Sequence, residues 1–344
     1  MSDFLSPMLD LFLTPFMRLL NPAQRVFYPS IICSLLLLLW FYRGKITKKN
    51  ILEKCFNKNL WWNASTRHDY LCFLLLPFIM NAIWIPAILH WQIAIISTIE
   101  GFLQTNIGIV DTRAWPFWLT SALYSVVIFL ALDFSRFLMH VLMHKYKPLW
   151  QFHLLHHTAT TLNPLTLFRF HPVELFLGRL RDLVVIGIVT GFTYYLFRGN
   201  VTGWQLFGTW AIGFGFNFFG SLLRHSVVPF KYPAFLEKMI ISPYQHQLHH
   251  SLDKEHWDCN FGVALSIWDR MYGSLVLSPK GEYKLAFGVE EDGKVIERHD
   301  FLYNMVSPFY FSLRLSVKWL LGLFRIRRKK REPAAHKVKQ PRRV

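Results

Sequence analysis

The sequence predicts an all-α integral membrane protein of about four to five transmembrane helices, carrying a cytoplasmic, histidine-rich cap suited to two metal ions. Three observations predict it. The 344 residues are 53% hydrophobic and 17% aromatic but only 17% charged, and mean hydropathy is positive, a balance that suits a bilayer better than water. Apolar stretches of spanning length recur along the chain and alternate with basic loops. Eight of the fifteen histidines fall in three boxes, His140-x3-His144, His153-x2-His156-His157 and His246-x2-His249-His250.

In chain order, residues 3–20 form a short interfacial helix, apolar on one side and interrupted by Pro7 and Pro15. Asp3 and Asp10 stand where a cleaved signal peptide would carry positive charge, so none is expected. Phe27–Tyr42 is the first span. The basic loop behind it (Arg43, Lys45, Lys48, Lys49, Lys54 and Lys58) belongs on the cytoplasmic side. Tyr70–Ile99 contains Pro77 and Pro86 and fits either one kinked span or a tight hairpin. After the polar turn Asp111–Arg113, Pro116–Met139 is a span that delivers His140 and His144 at its far end. Leu177–Phe197 and Trp204–Leu223 are the next two spans, joined by the turn Arg198–Gly203. Arg179, Arg181 and Asp182 must lie where the first of these begins, because charges at mid-bilayer are expensive.

Two crossings between the second and third boxes return the chain to the side it left, so all three boxes meet on one face. If the basic loop shares that face, an odd number of crossings must separate it from Asp111. That favours the kinked span at Tyr70–Ile99. Residues 258–300 read as a polar cap with turns at Pro279–Gly281 and Asp292–Gly293, and residues 301–324 as a helix along the interface. The chain thus divides into an N-terminal part (1–115), a histidine-box domain (116–278), a cap segment with its interfacial helix (279–324) and a basic, disordered tail (325–344).

The formal charge of +17 does not point to nucleic acid. The tail alone has ten Lys or Arg against one Glu, and a basic run beside an apolar helix follows anionic lipid head groups and the positive-inside rule. Cys33, Cys55, Cys72 and Cys259 are scattered without a CxxC pair, which leaves iron–sulfur, zinc-ribbon and thioredoxin-type chemistry without ligands. Electrons, where the chemistry requires them, come from another protein.

Residues three and four apart share one face of an α-helix, so each box aims its imidazoles at a common point. Eight imidazoles are too many for one metal ion with an open position, but they suit two. Buried side by side without a metal, so many neutral rings would lack partners. The solitary His68, His90, His299 and His336 read instead as interfacial polar groups. Imidazole binds Zn, Cu, Fe and Ni alike, so ligand type leaves the metal open. His225 emerges at the end of the span before the third box and is a candidate ninth ligand.

Asp133 lies seven residues before His140 on the same helical stripe. A carboxylate there can accept the outer ring N–H of a ligand and set its tautomer; the alternative is an ion pair with Arg136. Asp258 and Asn260 are candidates for the same task after the third box. His171, in His-Pro-Val-Glu, orients Glu174, lines the substrate entrance, or belongs to a structural turn. A zinc-dependent membrane hydrolase would carry HExxH, yet Val141 follows His140. A histidine-rich metal transporter would hold its ligands at mid-bilayer on broken helices, whereas these boxes sit at span ends and in loops.

The pattern Asp133-x6-His140-x3-His144, then HLLHH, then HQLHHS and DCNFGVALSIWDRMYGSL, resembles the fatty acid hydroxylase superfamily. That group includes sterol desaturases, sterol C-4 methyl oxidases and sphingolipid hydroxylases. The likeness covers roughly residues 120–275. It implies a non-haem di-iron centre (two iron ions) above a small bundle of membrane helices, with O2 as cosubstrate. It also implies a sterol, fatty-acyl or sphingolipid-type membrane lipid to be hydroxylated or desaturated, and electrons from a cytochrome b5-like protein or a ferredoxin and its reductase. The site would face the cytoplasm from a bacterial inner membrane or an ER-type membrane. Carried over position by position, the resemblance makes His140, His144, His153, His156, His157, His246, His249 and His250 metal ligands. His225, in Arg-His-Ser, matches the histidine often found before the last box. Some members carry another histidine four residues earlier, where this chain has Ser221; the ligand count departs from theirs. Phe214, Phe216, Phe218 and Phe219 either line a lipid tunnel rising to the metals or are lipid-facing and packing bulk.

Overall fold

A computed structural model describes residues 13–21, 24, 26–43, 55, 57–83, 85–110, 115–197, 215–216, 220–281, 285–291, 293–296 and 298–331. The principal helices are α1 (Tyr28–Tyr42), α2 (Ala64–Ile83), α3 (Ile85–Ile107), α4 (Phe117–Lys145), α5 (Lys147–His157), α6 (Pro172–Phe197), α7 (Pro243–His249), α8 (Ile267–Tyr272) and α9 (Phe301–Arg331). Among the described residues, α4 is the one helix long and apolar enough to cross a membrane, and α1 is a shorter apolar helix. The fold is mostly helical but not purely so. Glu290–Glu291 (β1) pairs antiparallel with Lys294–Val295 (β2), and Gly293 just before β2 takes φ +77°, a left-handed backbone that glycine adopts without strain.

Directions follow from side-chain contacts along the helices. Tyr124 on α4 shares a buried hydroxyl bond of 3.0 Å with Thr190 on α6. Further along α4, Arg136 lies 3.9 Å from Asp182. As the number rises on one helix it falls on the other, so α4 and α6 are antiparallel. On α3, Ile95 meets Gly187 and Ile99 meets Gly191, so α3 runs the same way as α6. Both leave the end of the bundle at which α4 arrives. In a hairpin at Tyr70–Ile99 the second arm would run back towards that end. Helix α2 instead ends at Ile83, and α3, from Ile85, continues away. Arg181 donates to Asp182 at 2.7 Å and to the sulfur of Met139 at 3.5 Å, which puts these charges beside the last turns of α4, where α6 begins.

Proline explains the sharp turn after the first box. Pro148 has no N–H to bond back to the carbonyl of His144, so α4 ends and α5 restarts with Pro148 in its first turn. The second box is thereby folded back onto the first. The third box is opened by Pro243 and by a reciprocal cap. Gln245 N donates to Ser242 Oγ at 3.1 Å, and Ser242 N donates to Gln245 Oε1 at 2.9 Å.

Three expectations change. Helix α6 starts at Pro172, five residues earlier than the expected span. Of Trp204–Leu223, residues 204–214 and 217–219 lie outside the described residues, and the stretch ends in a 3-10 turn, Ser221–His225. Residues 325–331, expected in the disordered tail, continue α9, as a run of strong helix formers such as Lys and Arg can. Residues 332–344, including His336, lie outside the described residues, as do the turn Asp111–Arg113 and Phe214, Phe218 and Phe219.

The α3–α6 contact yields a test. A Cβ at Gly187 would sit 2.6 Å from Ile95 Cγ2, and one at Gly191 would sit 3.0 Å from the Ile96 backbone oxygen. Gly187→Ala and Gly191→Ala should each lower stability by about 1–3 kcal/mol through overpacking. Adding Ile95→Ala, which removes Cγ2 but keeps a Cβ at 2.9 Å, should partly restore the Gly187 variant but not the Gly191 variant, measured by thermal aggregation of the detergent-solubilised protein.

Candidate metal centre

Four segments meet at the α4–α5 corner. Helix α4 brings His140 and His144, α5 brings His153, His156 and His157, the turn Ser221–His225 brings His225, and α7 with its cap brings His246, His249 and His250. The nine imidazoles form two groups. His140, His144, His153, His157 and His249 make one; His156, His225, His246 and His250 make the other. In each group one nitrogen per ring lies within 4.8 Å of every other. Neighbours in sequence serve different groups, because consecutive residues on a helix point about 100° apart. His156 and His157 part company in this way, as do His249 and His250. His153 is likewise separated from His156 and His246 from His249, so the expectation that each box aims at one common point holds only for its i,i+4 pairs.

The inner nitrogens approach closely. Nε2–Nε2 distances are 3.2 Å for His153–His157, 3.3 Å for His156–His225, 3.1 Å for His225–His246 and 3.2 Å for His246–His250. Imidazole binds metals such as zinc at about 2.0–2.1 Å, so two ligands 90–110° apart stand about 3.0–3.4 Å from each other. The outer nitrogens fix the tautomer of several rings. His140 Nδ1 faces the Phe261 carbonyl at 2.8 Å, His156 Nδ1 the Arg169 carbonyl at 3.2 Å and His249 Nδ1 the Cys259 carbonyl at 2.7 Å. A carbonyl only accepts, so each of these rings donates outward from Nδ1, and the neutral ring then presents a bare lone pair at Nε2. The buried Nε2 atoms of His140, His144 and His249 have no hydrogen-bond partner. Converging, unpartnered lone pairs fit a cation in the five-histidine group, and the four converging rings of the other, with the His156 lone pair turned inward by its Arg169 bond, offer a second site of the same kind.

Burial favours the neutral form of five of these rings. His156, His157, His246 and His250 are held well below the usual imidazole range, first by desolvation and then by neighbouring imidazoles. His249 is pushed down to about 4 by burial, partly offset by its bond to the Cys259 carbonyl. Neutral imidazole is the ligating form.

The outer partners differ in part from the sequence-based expectation. Glu174 accepts from His153 Nδ1 at 2.8 Å, so a residue expected at the substrate entrance instead backs an inner-facing ring. Asp258 Oδ1 lies 3.3 Å from His144 Nδ1, and Oδ2 accepts from Lys145 at 2.8 Å. Asp133 bonds no imidazole. It accepts from Ala264 N at 2.9 Å, Leu265 N at 3.0 Å and Trp268 Nε1 at 2.9 Å, because these donors reach the buried carboxylate where no ligand N–H does. The ion pair with Arg136 is not formed either, since Arg136 turns to Asp182. Asn260 also bonds no imidazole; it donates to the Gln245 carbonyl at 3.1 Å and accepts from Val276 N at 2.8 Å. His171 does not orient Glu174. It faces the Met305 carbonyl at 3.0 Å and accepts from Val173 N at 3.1 Å, fastening α9 to the start of α6. Of the solitary histidines, His68 is buried and bonds the carbonyl of His299 at 3.2 Å.

Several supports escaped the sequence reading. Gln247, inside the third box, donates to the carbonyls of Leu223, Ser226 and Val228 at 3.1, 3.0 and 2.8 Å and so grips the turn bearing His225. Asp269 accepts from Phe261 N and Gly262 N, both at 2.7 Å, and holds the loop whose carbonyl meets His140. A Cβ at Gly262 would stand 2.6 Å from the Leu265 carbonyl oxygen and 2.7 Å from Asp269 Oδ2. Removing an outer acceptor typically costs 10–100-fold in metal affinity. Glu174→Gln should weaken metal binding by about that factor at the five-histidine group while sparing the other, as measured by competition with a chelator.

Comparison with known proteins follows this geometry. Residues 125–274 match the fatty acid hydroxylase family model. The ornithine lipid hydroxylase OlsE of Rhizobium tropici is 26% identical over 196 residues, 57% of this chain and 53% of that protein. Alkylglycerol monooxygenase of Xenopus tropicalis is 24% identical over 175 residues, 51% of this chain and 33% of that protein. The chain therefore spans about half the length of the first and a third of the second. No solved structure matches it. On its histidine pattern, the matched segment and these relatives, the chain fits the fatty acid hydroxylase superfamily.

Proposed function

We propose that this protein is a membrane oxidoreductase that uses O2 and externally supplied electrons to hydroxylate a lipid at two iron ions. The observation that carries the reading is the division of nine imidazoles into groups of five and four whose inner nitrogens converge. Iron is favoured over zinc because zinc has no redox chemistry, and both relatives are named for inserting oxygen, as a hydroxylase and a monooxygenase. The same names favour hydroxylation over desaturation. They denote an ornithine lipid and an alkylglycerol, not a sterol, so an acyl- or alkyl-chain lipid is put ahead of a sterol as substrate.

Two bound iron ions would supply the redox chemistry with O2 that no side chain offers for breaking an unactivated C–H bond. The chain's own residues hold, orient and dry the site. All nine histidines would be ligands, with Glu174 and Asp258 setting the tautomers of His153 and His144. The Phe261 ring packs on His140, His144 and His249 with centroids at 5.5, 5.1 and 5.7 Å. Trp150 lies against His144 at 4.9 Å and His157 at 5.3 Å, and these aromatic faces keep water from one side of the five-histidine group. No cysteine cluster could carry electrons, so a separate cytochrome b5-like or ferredoxin-type donor is required.

In this reading α1, the kinked α2–α3 pair, α4, α6 and residues 204–223 make the four to five spans. The histidines face the cytoplasm together with the basic loop at residues 43–58, and the basic C-terminus meets anionic head groups. A zinc-dependent hydrolase and a metal transporter remain the competing classes. Purified protein loaded anaerobically with iron should hold two ions per chain and convert lipid only with O2. Protein that stays metal-free under that loading and still turns over would refute the proposal. Comparing the lipids of a deletion strain with those of its parent would identify the substrate.

His156→Ala and His249→Ala take one ligand from each group and should each abolish turnover while leaving the protein in the membrane fraction. Truncation after Phe324 should lower binding to vesicles of anionic lipid several-fold, measured by co-sedimentation, with iron content unchanged.

A further inference from the structure

We infer that Asp69, upstream of the segment that matches the hydroxylase family, is a positioning residue for the four-histidine group and acts on His156 through Arg169. The inference rests on the reading that both groups hold metal ions.

Asp69 and Arg169 are both fully buried and joined by an ion pair of 2.6 Å between Nε and Oδ1. Such a pair is tolerated away from water only when its other donors and lone pairs are also satisfied. Here they are. Asp69 Oδ2 accepts from Asn163 Nδ2 at 2.7 Å and from Thr166 Oγ1 at 2.8 Å. Arg169 Nη2 donates to the Ser65 carbonyl at 2.5 Å and to its hydroxyl at 3.0 Å, while Nη1 donates to Thr158 Oγ1 at 3.3 Å. The guanidinium is thereby clamped between α2 and the C-terminal cap of α5. Its own backbone is held as well, since Arg169 N donates to the Thr166 carbonyl at 3.0 Å.

The clamp presents two surfaces to one ligand. The Arg169 carbonyl accepts from His156 Nδ1 at 3.2 Å. The ring of the next residue, Phe170, stacks on the same imidazole at 4.7 Å with an interplanar angle of 9°. Residue 169 therefore directs the lone pair of His156, and residue 170 sets the plane of its ring. The outer acceptors of the five-histidine group (Phe261, Cys259, Glu174 and Asp258) belong to other segments. Disturbing Asp69 should be felt at the four-histidine group first.

Cobalt(II) titration of the purified full-length protein, read by visible absorption and by metal analysis after desalting, tests this without an activity assay. Wild-type protein should bind two ions per chain. Asp69→Asn should keep one tight site and weaken the other about 10–100-fold, and the absorption it loses should match that lost in His225→Ala. Thr166→Val removes a bond from the same network on the side away from the guanidinium; it should lower the thermal midpoint yet bind both ions as wild type does. The inference is overturned if Asp69→Asn lowers the midpoint while binding two ions with unchanged affinity, or if it weakens both sites equally. Should that variant not accumulate as folded protein, Arg169→Lys, which keeps the charge and loses the fork, is judged by the same spectrum. A wild-type chain that binds fewer than two ions overturns the metal reading itself, a failure visible before any substitution is made.

Discussion

In the metal-binding reading, the Nε2 atoms of neutral imidazoles face one another at 3.1–3.3 Å as acceptors and would repel unless something positive lay between them. The rest of the molecule is arranged around that requirement. The box helices are short, α5 having eleven residues and α7 seven, and neither length is stable as an isolated helix. Both persist because their histidine faces are buried against α4 and the His225 turn, while α5 is backed by α9 through Phe152 and Phe309, whose centroids lie 5.4 Å apart. The elements that bear the ligands thus derive their stability from the site they build.

Around the histidines, irregular backbone is held by buried acids rather than by sheet or helix. Asp133 and Asp269 between them take up four successive-pair amides of the loop after the third box. Glu237 accepts from Ser242 Oγ at 2.7 Å and Ser278 N at 2.9 Å. Buried amides outside regular structure must find partners, and a carboxylate serves two at once. Asp133 and Glu237 join segments distant in sequence while Asp269 ties one loop to the helix that follows it, which gives loops the rigidity that a ligand cage demands.

The nine histidines were legible because helical spacing and the His225 position both project along short stretches of chain. The division of each HxxHH box between two groups was not legible: the spacing predicts one common point for each box, yet only the i,i+4 pairs stay together. The outer partners were not legible. Phe261, Cys259 and Arg169 act through backbone carbonyls, which leave no mark on residue type. Asp133 sits on the stripe of His140, but amides 131 and 132 residues downstream reach it instead, and local periodicity is blind to such distances. Asp69 lies just before the apolar run that starts at Tyr70 and carries no local sign of its partner, which stands 100 residues away. Helix directions were partly foreseen from charge, and α3 follows the kinked path. The continuation of α9 to Arg331 was missed because basic composition was weighed as solvation and not as helix propensity.

Gly262 carries a last consequence. Its missing side chain leaves the space in which Asp269 reaches two consecutive amides, and a single methyl there would act as a wedge between the carboxylate and the turn. Residue 262 contributes no donor, acceptor or charge of its own side chain, yet it decides whether its neighbour's carbonyl stays level with His140. Tolerance to substitution in this cap is therefore governed at such a point by vacancy of shape, and a chemically silent position can be as unforgiving as an imidazole.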